Sequence, residues 1–249
     1  MDLQLPDTVR RLAAGETFRF ACHPGVACFT ECCRELELAL TPYDVLRLRR
    51  CLGLSADQFL DRYVVVEKEA AEPLPRLYLA MVDDGRASCP FVSPTGCTVY
   101  SDRPGACRIY PVGRAARLTA AGGCQALHVL LREPHCLGFA GSTSFSMAEW
   151  FADQELAAYN EANDQVMTIL QHARIRSGML LSAGQIERFL LALYDLDRFR
   201  VLVAGNEFPA AILLSDQERQ VIATDDAMLL SFGIRWLRHE LFGEITQVV

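Results

Sequence analysis

The sequence predicts an α+β protein, mostly helical, in which a cysteine-rich metal-binding core with short strands precedes a helical C-terminal half. Three observations predict it. Eight of the ten cysteines fall in three short segments punctuated by Gly and Pro. Brief apolar or alternating runs of strand length lie around those segments. Near residue 143 the texture changes: cysteines stop, and longer helical patterns opened by capping signals begin. Two domains are therefore expected, a cysteine-cluster domain over 1–142 and a helical region over 143–249 packed on it.

In order along the chain, residues 1–21 read as a short helical or irregular lead. Its end, Thr17-Phe-Arg-Phe-Ala-Cys22, alternates as a strand does. The run Cys22-His-Pro-Gly-Val-Ala-Cys28-Phe-Thr-Glu-Cys32-Cys33 then places four thiols close together. Thr41-Pro-Tyr-Asp starts a helix, with a Thr cap, Pro at the first helical position and Asp at the third. That helix carries Val45, Leu46 and Leu48 and stops near Gly53. Its Arg47, Arg49 and Arg50 are read as a solvated helix face rather than an anion or partner patch, because two of the three lie on different sides of the helix. Ser55-Ala-Asp-Gln repeats the signal for a short helix reaching Tyr63.

Residues 76–82, followed by Asp83-Asp84-Gly85-Arg86, read as a strand and tight turn leading into Cys89-Pro-Phe-Val-Ser-Pro-Thr-Gly-Cys97. Ser101-Asp-Arg-Pro-Gly-Ala-Cys107 is a capped helical turn that delivers Cys107. Residues 127–133 form a further strand before His135-Cys136-Leu-Gly-Phe. Beyond residue 143, Ser146-Met-Ala-Glu149 is a capping box for a helix expected to run to about residue 173. Trp150, Phe151, Tyr159, Val166, Met167 and Leu170 form its interrupted apolar side. Ser182-Ala-Gly-Gln185 opens another helix, Asp195 a third, and Thr224-Asp-Asp-Ala caps the last, which ends at Gly243. Aromatic stripes of this kind are core.

Clustered thiols in loops suit soft metals, because thiolates bind zinc and iron strongly. The alternatives are disulfides and inert buried thiols. Disulfides serve small secreted domains. A chain of 249 residues that is 51% hydrophobic can bury a core unaided. Its start, Met1-Asp-Leu-Gln-Leu-Pro-Asp, lacks the basic and apolar regions of a secretory signal. A reducing cytoplasm is the expected location. The net charge of -7 disfavours nucleic acid. No apolar run approaches the roughly eighteen residues that span a bilayer. The expected partner is an unidentified protein or redox partner.

Neighbouring residues point about 100° apart on a helix, so one ion takes both Cys32 and Cys33 only through a strained turn. Cys28 and Cys32, four apart, stack if helical. Two four-ligand centres fit this pattern, and so does one cluster with spare thiols. His23 and His135 each precede a cysteine and are candidate replacements for a thiolate, although the thiols suffice without them. Arg34, Arg103 and Arg108 lie close to the thiols, where they either balance thiolate charge and donate to sulfur or serve as ordinary surface arginines. No Ser–His constellation, carboxylate pair or Walker loop is present, so no catalytic residue is assigned.

The Cys-rich start with its Cys32-Cys33 pair, Cys89-Pro-Phe…Gly96-Cys97-Thr-Val-Tyr, Arg103-Pro104…Cys107-Arg108-Ile-Tyr110-Pro111 and His135-Cys136-Leu-Gly138-Phe139 together resemble the bacterial YkgJ-type cysteine-cluster family. That family is described as zinc- or iron-chelating, with eight recurrent cysteines. The resemblance covers about residues 20 to 140. It implies a metal-binding set of Cys22, Cys28, Cys32, Cys33, Cys89, Cys97, Cys107 and Cys136, with Cys51 and Cys124 outside it. The first spacing, C-x5-C-x3-CC, is wider than the family's C-x2-C-x2-CC. Some relatives are called iron–sulfur oxidoreductases, and a flagellin lysine N-methylase carries a similar cluster. The expected cofactor is an iron–sulfur cluster, since eight thiols with a vicinal pair exceed the needs of one structural zinc. The alternatives are a zinc-stabilised interaction or regulatory protein and a cluster-dependent protein-modifying enzyme.

Overall fold

Short strands and a majority of helices make up the computed structural model, in accord with the predicted class. It describes residues 6–119, 123–205, 208, 209, 212 and 214–244. The chain divides into two units that interleave in sequence. Unit 1 takes residues 1–38 and 79–160, and unit 2 takes 39–78 and 161–249. The change of texture at residue 143 lies inside unit 1. Among the described residues no helix is long and apolar enough to cross a membrane.

Unit 1 holds a three-stranded antiparallel sheet ordered Val9–Arg11, Cys124–Leu131, Val112–Leu118. Val9–Arg11 falls where an irregular or helical lead was expected. Val112–Leu118 is also unannounced, because Gly-Arg-Ala-Ala-Arg has weak strand propensity and is held by its partner instead. Thr17–Arg19 forms the expected strand and pairs antiparallel with Ser144–Ser146, so that Phe18 faces Phe145. The core between these strands is Phe18, Phe20, Val112, Leu130 and Trp150. Phe20 meets Tyr110, Phe139 and Trp150 edge-on at 5.7, 5.4 and 5.7 Å, geometry that aromatic quadrupoles favour. The Trp150 indole donates to the Ile109 carbonyl at 2.9 Å, which satisfies its only polar atom.

The helix opened by Ser146 does not run to residue 173. It spans Met147–Asp153, and a second helix begins at Ala157. Between them Glu155 adopts φ 52°, while Leu156 N–H donates to the Phe151 carbonyl at 3.0 Å and Glu155 N–H to that of Ala152 at 3.1 Å. This is a Schellman stop with a glutamate where glycine is usual. Buried Arg108 fixes it by donating to the Gln154 carbonyl at 2.8 Å.

Unit 2 is largely helical. Pro42–Leu52 has the expected capping box between Thr41 and Asp44 and ends at left-handed Gly53. Ala56–Tyr63 follows, capped by Ser55 and Gln58, and Val64–Glu67 pairs with Arg76–Leu79. Ala183–Leu193, Leu196–Ala204 and Asp226–Phe242 appear where their caps place them, the last capped by Asp225. Asp216–Thr224, boxed by Ser215 and Glu218, is an additional helix. Arg49 departs from the solvated face expected of it. It is buried and pairs with Asp197 at 3.1 Å and Asp226 at 2.6 Å.

Candidate metal centre

All eight proposed ligands belong to unit 1, and local turn chemistry delivers each. Between residues 23 and 33 the backbone closes tight turns in succession. Val26 N–H donates to His23, Phe29 to Val26, Glu31 to Cys28 and Cys33 to Thr30, all at 2.9–3.0 Å. The last of these lie in a 3-10 helix, Glu31–Cys33, entered through left-handed Thr30. Cys97 ends a two-strand hairpin, Val92–Ser93 against Gly96–Cys97, and Cys89 anchors its start by accepting from Val92 N–H at 3.1 Å. Cys107 sits on the short helix Gly105–Ile109. Cys136 closes a turn on the Glu133 carbonyl at 2.9 Å.

Backbone hydrogen bonds tie these distant segments together. Cys89 N–H donates to the Cys33 carbonyl at 2.8 Å and Glu35 N–H to that of Ala87 at 3.0 Å. Ala21 N–H donates to the Gly138 carbonyl at 2.9 Å, which brings the Cys22 and Cys136 segments together. Gly138 is required there, since a Cβ would lie 2.5 Å from the Phe20 ring and 2.9 Å from the Ala21 carbonyl oxygen. Leu137 N–H points at the Cys28 sulfur from 3.1 Å, the kind of bond that stabilises charge on a metal-bound thiolate.

The arginines act mainly on backbone. Arg108 gives its guanidinium bonds to the carbonyls of Arg103, Gln154 and Ser101, stands 3.5 Å from Glu155 and lies over the Tyr159 ring. Arg103 donates to the Tyr100 carbonyl and the Gln154 side chain. Arg34 donates to the Thr30 carbonyl at 2.6 Å. They thus hold the loops in shape. The charge of Arg103 also reaches sulfur, favouring the thiolates of Cys22 and Cys97.

The thiols perturb one another. Burial pushes Cys22 up to about 11, helped by the negative charges of Cys32, Cys28 and Cys136. Cys32 is lowered, chiefly by a hydrogen bond from Cys33, whose own proton is held more tightly by that bond and by burial. Burial also raises Cys89 and Cys97. The Tyr110 phenol, buried against Cys136 and Glu133, is raised first by burial and then by its Cys136 contact. Gln154 and Tyr110 are thus part of the site's support. The Gln154 role has no local sequence signal.

All ten cysteines are reduced thiols. As the side chains stand, no three or more described His, Cys, Asp or Glu residues form a ready coordination sphere. The donor chemistry nonetheless fits a soft metal: thiols that act on one another, with the charge of Arg103 reaching Cys22 and Cys97. His23 Nδ1 accepts from Gly25 N–H at 3.1 Å, and His135 Nε2 lies 3.6 Å from Glu133. Cys51 belongs to unit 2, and Cys124 takes a 3.4 Å contact from Arg114.

Residues 21–136 match the model of the CxxCxxCC family, described as a putative zinc- or iron-chelating domain. No curated protein and no solved structure matches the chain.

Proposed function

We propose, taking residues 21–136 as a CxxCxxCC domain, that this protein holds iron as an iron–sulfur cluster and exchanges electrons with a protein partner in the cytoplasm. The ligands are Cys22, Cys28, Cys32, Cys33, Cys89, Cys97, Cys107 and Cys136. The observation that carries this reading is the joining of thiol-bearing segments from both ends of unit 1 by the Cys33–Cys89 and Ala21–Gly138 backbone bonds.

When bound, a thiolate-ligated iron–sulfur cluster supplies one-electron chemistry. The chain's residues do the rest. The thiols bind as thiolates and release their protons to solvent. Arg103 offsets part of the resulting charge, and the Leu137 N–H steadies the Cys28 sulfur. The aromatic cluster around Phe20 and Trp150 keeps water from one side of the Cys136 segment.

Anaerobic purification followed by elemental analysis, sulfide assay and visible spectroscopy tests the proposal. Iron with matching sulfide, and a broad visible absorption that bleaches on reduction, is the expected result. A colourless protein with stoichiometric zinc and no redox wave replaces it with the zinc-stabilised alternative. A protein that binds neither metal overturns both.

A further inference from the structure

We infer that a cleft in unit 1 binds a small zwitterion with an apolar body, an amino acid or short peptide whose carboxylate meets Arg34 and whose ammonium meets Asp84. Neither residue is a proposed metal ligand, so the site stands apart from the choice of metal.

The cleft lies between residues 30–34 and residues 82–94, and has a volume of about 550 Å³. Small-molecule sites span roughly 300–1,000 Å³ and are largely formed before the ligand arrives. The walls here are already tied together. Cys89 N–H donates to the Cys33 carbonyl at 2.8 Å, Glu35 N–H to that of Ala87 at 3.0 Å, and Arg86 to the Glu31 carboxylate at 3.0 Å. Left-handed backbone gathers at the same place. Thr30 has φ 69°, Glu35 φ 53° and Ala87 φ 43°. Thr30 lines the cleft, and the other two adjoin Arg34 and Ser88, which do. Residues with side chains hold such angles only where their surroundings force them, and this strain collects at binding sites.

Arg34 supplies a cation with an unused donor. Its Nη1 donates to the Thr30 carbonyl at 2.6 Å and stands 3.4 Å from Glu31, while Nε is buried with no acceptor among the described residues. An unmet donor is costly, more so on a charged group. A carboxylate is the acceptor that a guanidinium takes best, and one placed at Nε leaves the Nη1 bond to Thr30 intact. Asp84 supplies the opposite charge. Its Oδ1 accepts from Arg86 N–H at 3.0 Å and from Ser88 N–H at 3.3 Å, which pins the carboxylate on its turn. Asp84 repels a lone anion in this cleft and Arg34 a lone cation, whereas a ligand with both charges satisfies each. Val82, Pro90, Val92 and Pro94 add apolar lining. Val82 is 45% exposed, so covering it with an apolar side chain is favourable.

The test is calorimetric titration of the full chain, prepared without oxygen, with L-leucine and with the dipeptide Leu-Leu. N-acetyl-L-leucine lacks the ammonium and L-leucinamide lacks the carboxylate. The expected result is saturable binding of leucine or Leu-Leu, at least about tenfold tighter than either blocked form. The tighter of the two identifies the source of the zwitterion. Asp84→Asn keeps the Oδ1 acceptor and removes the charge, so leucine and N-acetyl-leucine should then bind alike. Arg34→Gln should do the same for leucine and leucinamide. If Arg34→Gln fails to fold, Asp84→Asn and the wild-type comparison decide. Absence of saturable binding of leucine and Leu-Leu up to about 10 mM overturns the site. Equal binding of free and blocked forms by the wild-type chain, as a peptide interior would give, overturns it too, as does discrimination that survives Asp84→Asn. None of these failures touches the metal-binding reading, which is decided by metal content.

Discussion

His128 shows how one residue couples the fold to pH. It stands on the strand Cys124–Leu131, edge-on to Phe151 at 5.1 Å, with Nε2 buried and no partner for that atom among the described residues. Burial, then the charge of Arg114, lowers its pKa. The folded state therefore resists a proton that the unfolded chain accepts. Stability is full above the unfolded histidine value, about 6.5, and declines as pH falls from there toward the folded value. Thermal melts between pH 7.5 and 5.5 should show a steeper loss for the wild-type chain than for His128→Gln. Parallel slopes would sink this assignment. Among the cysteines, Cys97→Ser should lower metal content and melting temperature together. Cys51→Ser, on an exposed helical position in unit 2, should change stability by no more than about 0.5 kcal/mol. The thiol segments are legible because their cysteines cluster in sequence, a pattern that needs no tertiary knowledge. The burial of Arg49 was not, because its carboxylate partners, Asp197 and Asp226, lie 148 and 177 residues away.

At the scale of elements, caps carried most of the legible signal. Thr41, Ser55, Ser146 and Ser182 all open helices through reciprocal capping boxes. Each is a local hydrogen-bond pattern that needs no tertiary knowledge. Ser215-Asp-Gln-Glu218 carries the same signature and opens Asp216–Thr224. The break after Asp153 was invisible for a physical reason. A Schellman stop normally advertises itself with glycine, but here glutamate is held left-handed beside carbonyls that Arg108 binds. The Ala21–Gly138 junction is equally tertiary. Gly138→Ala should place a methyl group against Phe20 and the Ala21 carbonyl. Overpacking of this kind costs about 1–3 kcal/mol. Because the junction brings Cys22 and Cys136 together, the variant should also release metal to a competing chelator faster than the wild-type chain. A lower melting temperature with unchanged release would detach the junction from the metal site.

For the whole molecule, the division into units predicts two separable responses to metal removal. Structural metal binding and folding share one free energy, about 10–16 kcal/mol for zinc in small modules at neutral pH. All eight proposed ligands lie in unit 1, whereas unit 2 is a set of capped helices around its own buried residues, Phe199, Leu229 and Trp236 among them. The sequence suggested a metal core followed by helices. It did not reveal that residues 39–78 leave the cysteine-bearing half to join the helical unit, since a helix with good caps reads the same in either place. Each unit contains one of the two tryptophans, Trp150 in unit 1 and Trp236 in unit 2. Trp236→Phe therefore leaves a fluorophore inside the Phe18–Phe20 core, and Trp150→Phe leaves one in the last helix. Chelation should lower the melting temperature reported by Trp150 by ten degrees or more, about what several kcal/mol produces in a domain of this size. The transition reported by Trp236 should stay within a few degrees of its metal-loaded value. Equal shifts at both tryptophans would mean that the units melt as one cooperative body, and that the metal stabilises the whole chain rather than the cysteine-bearing unit.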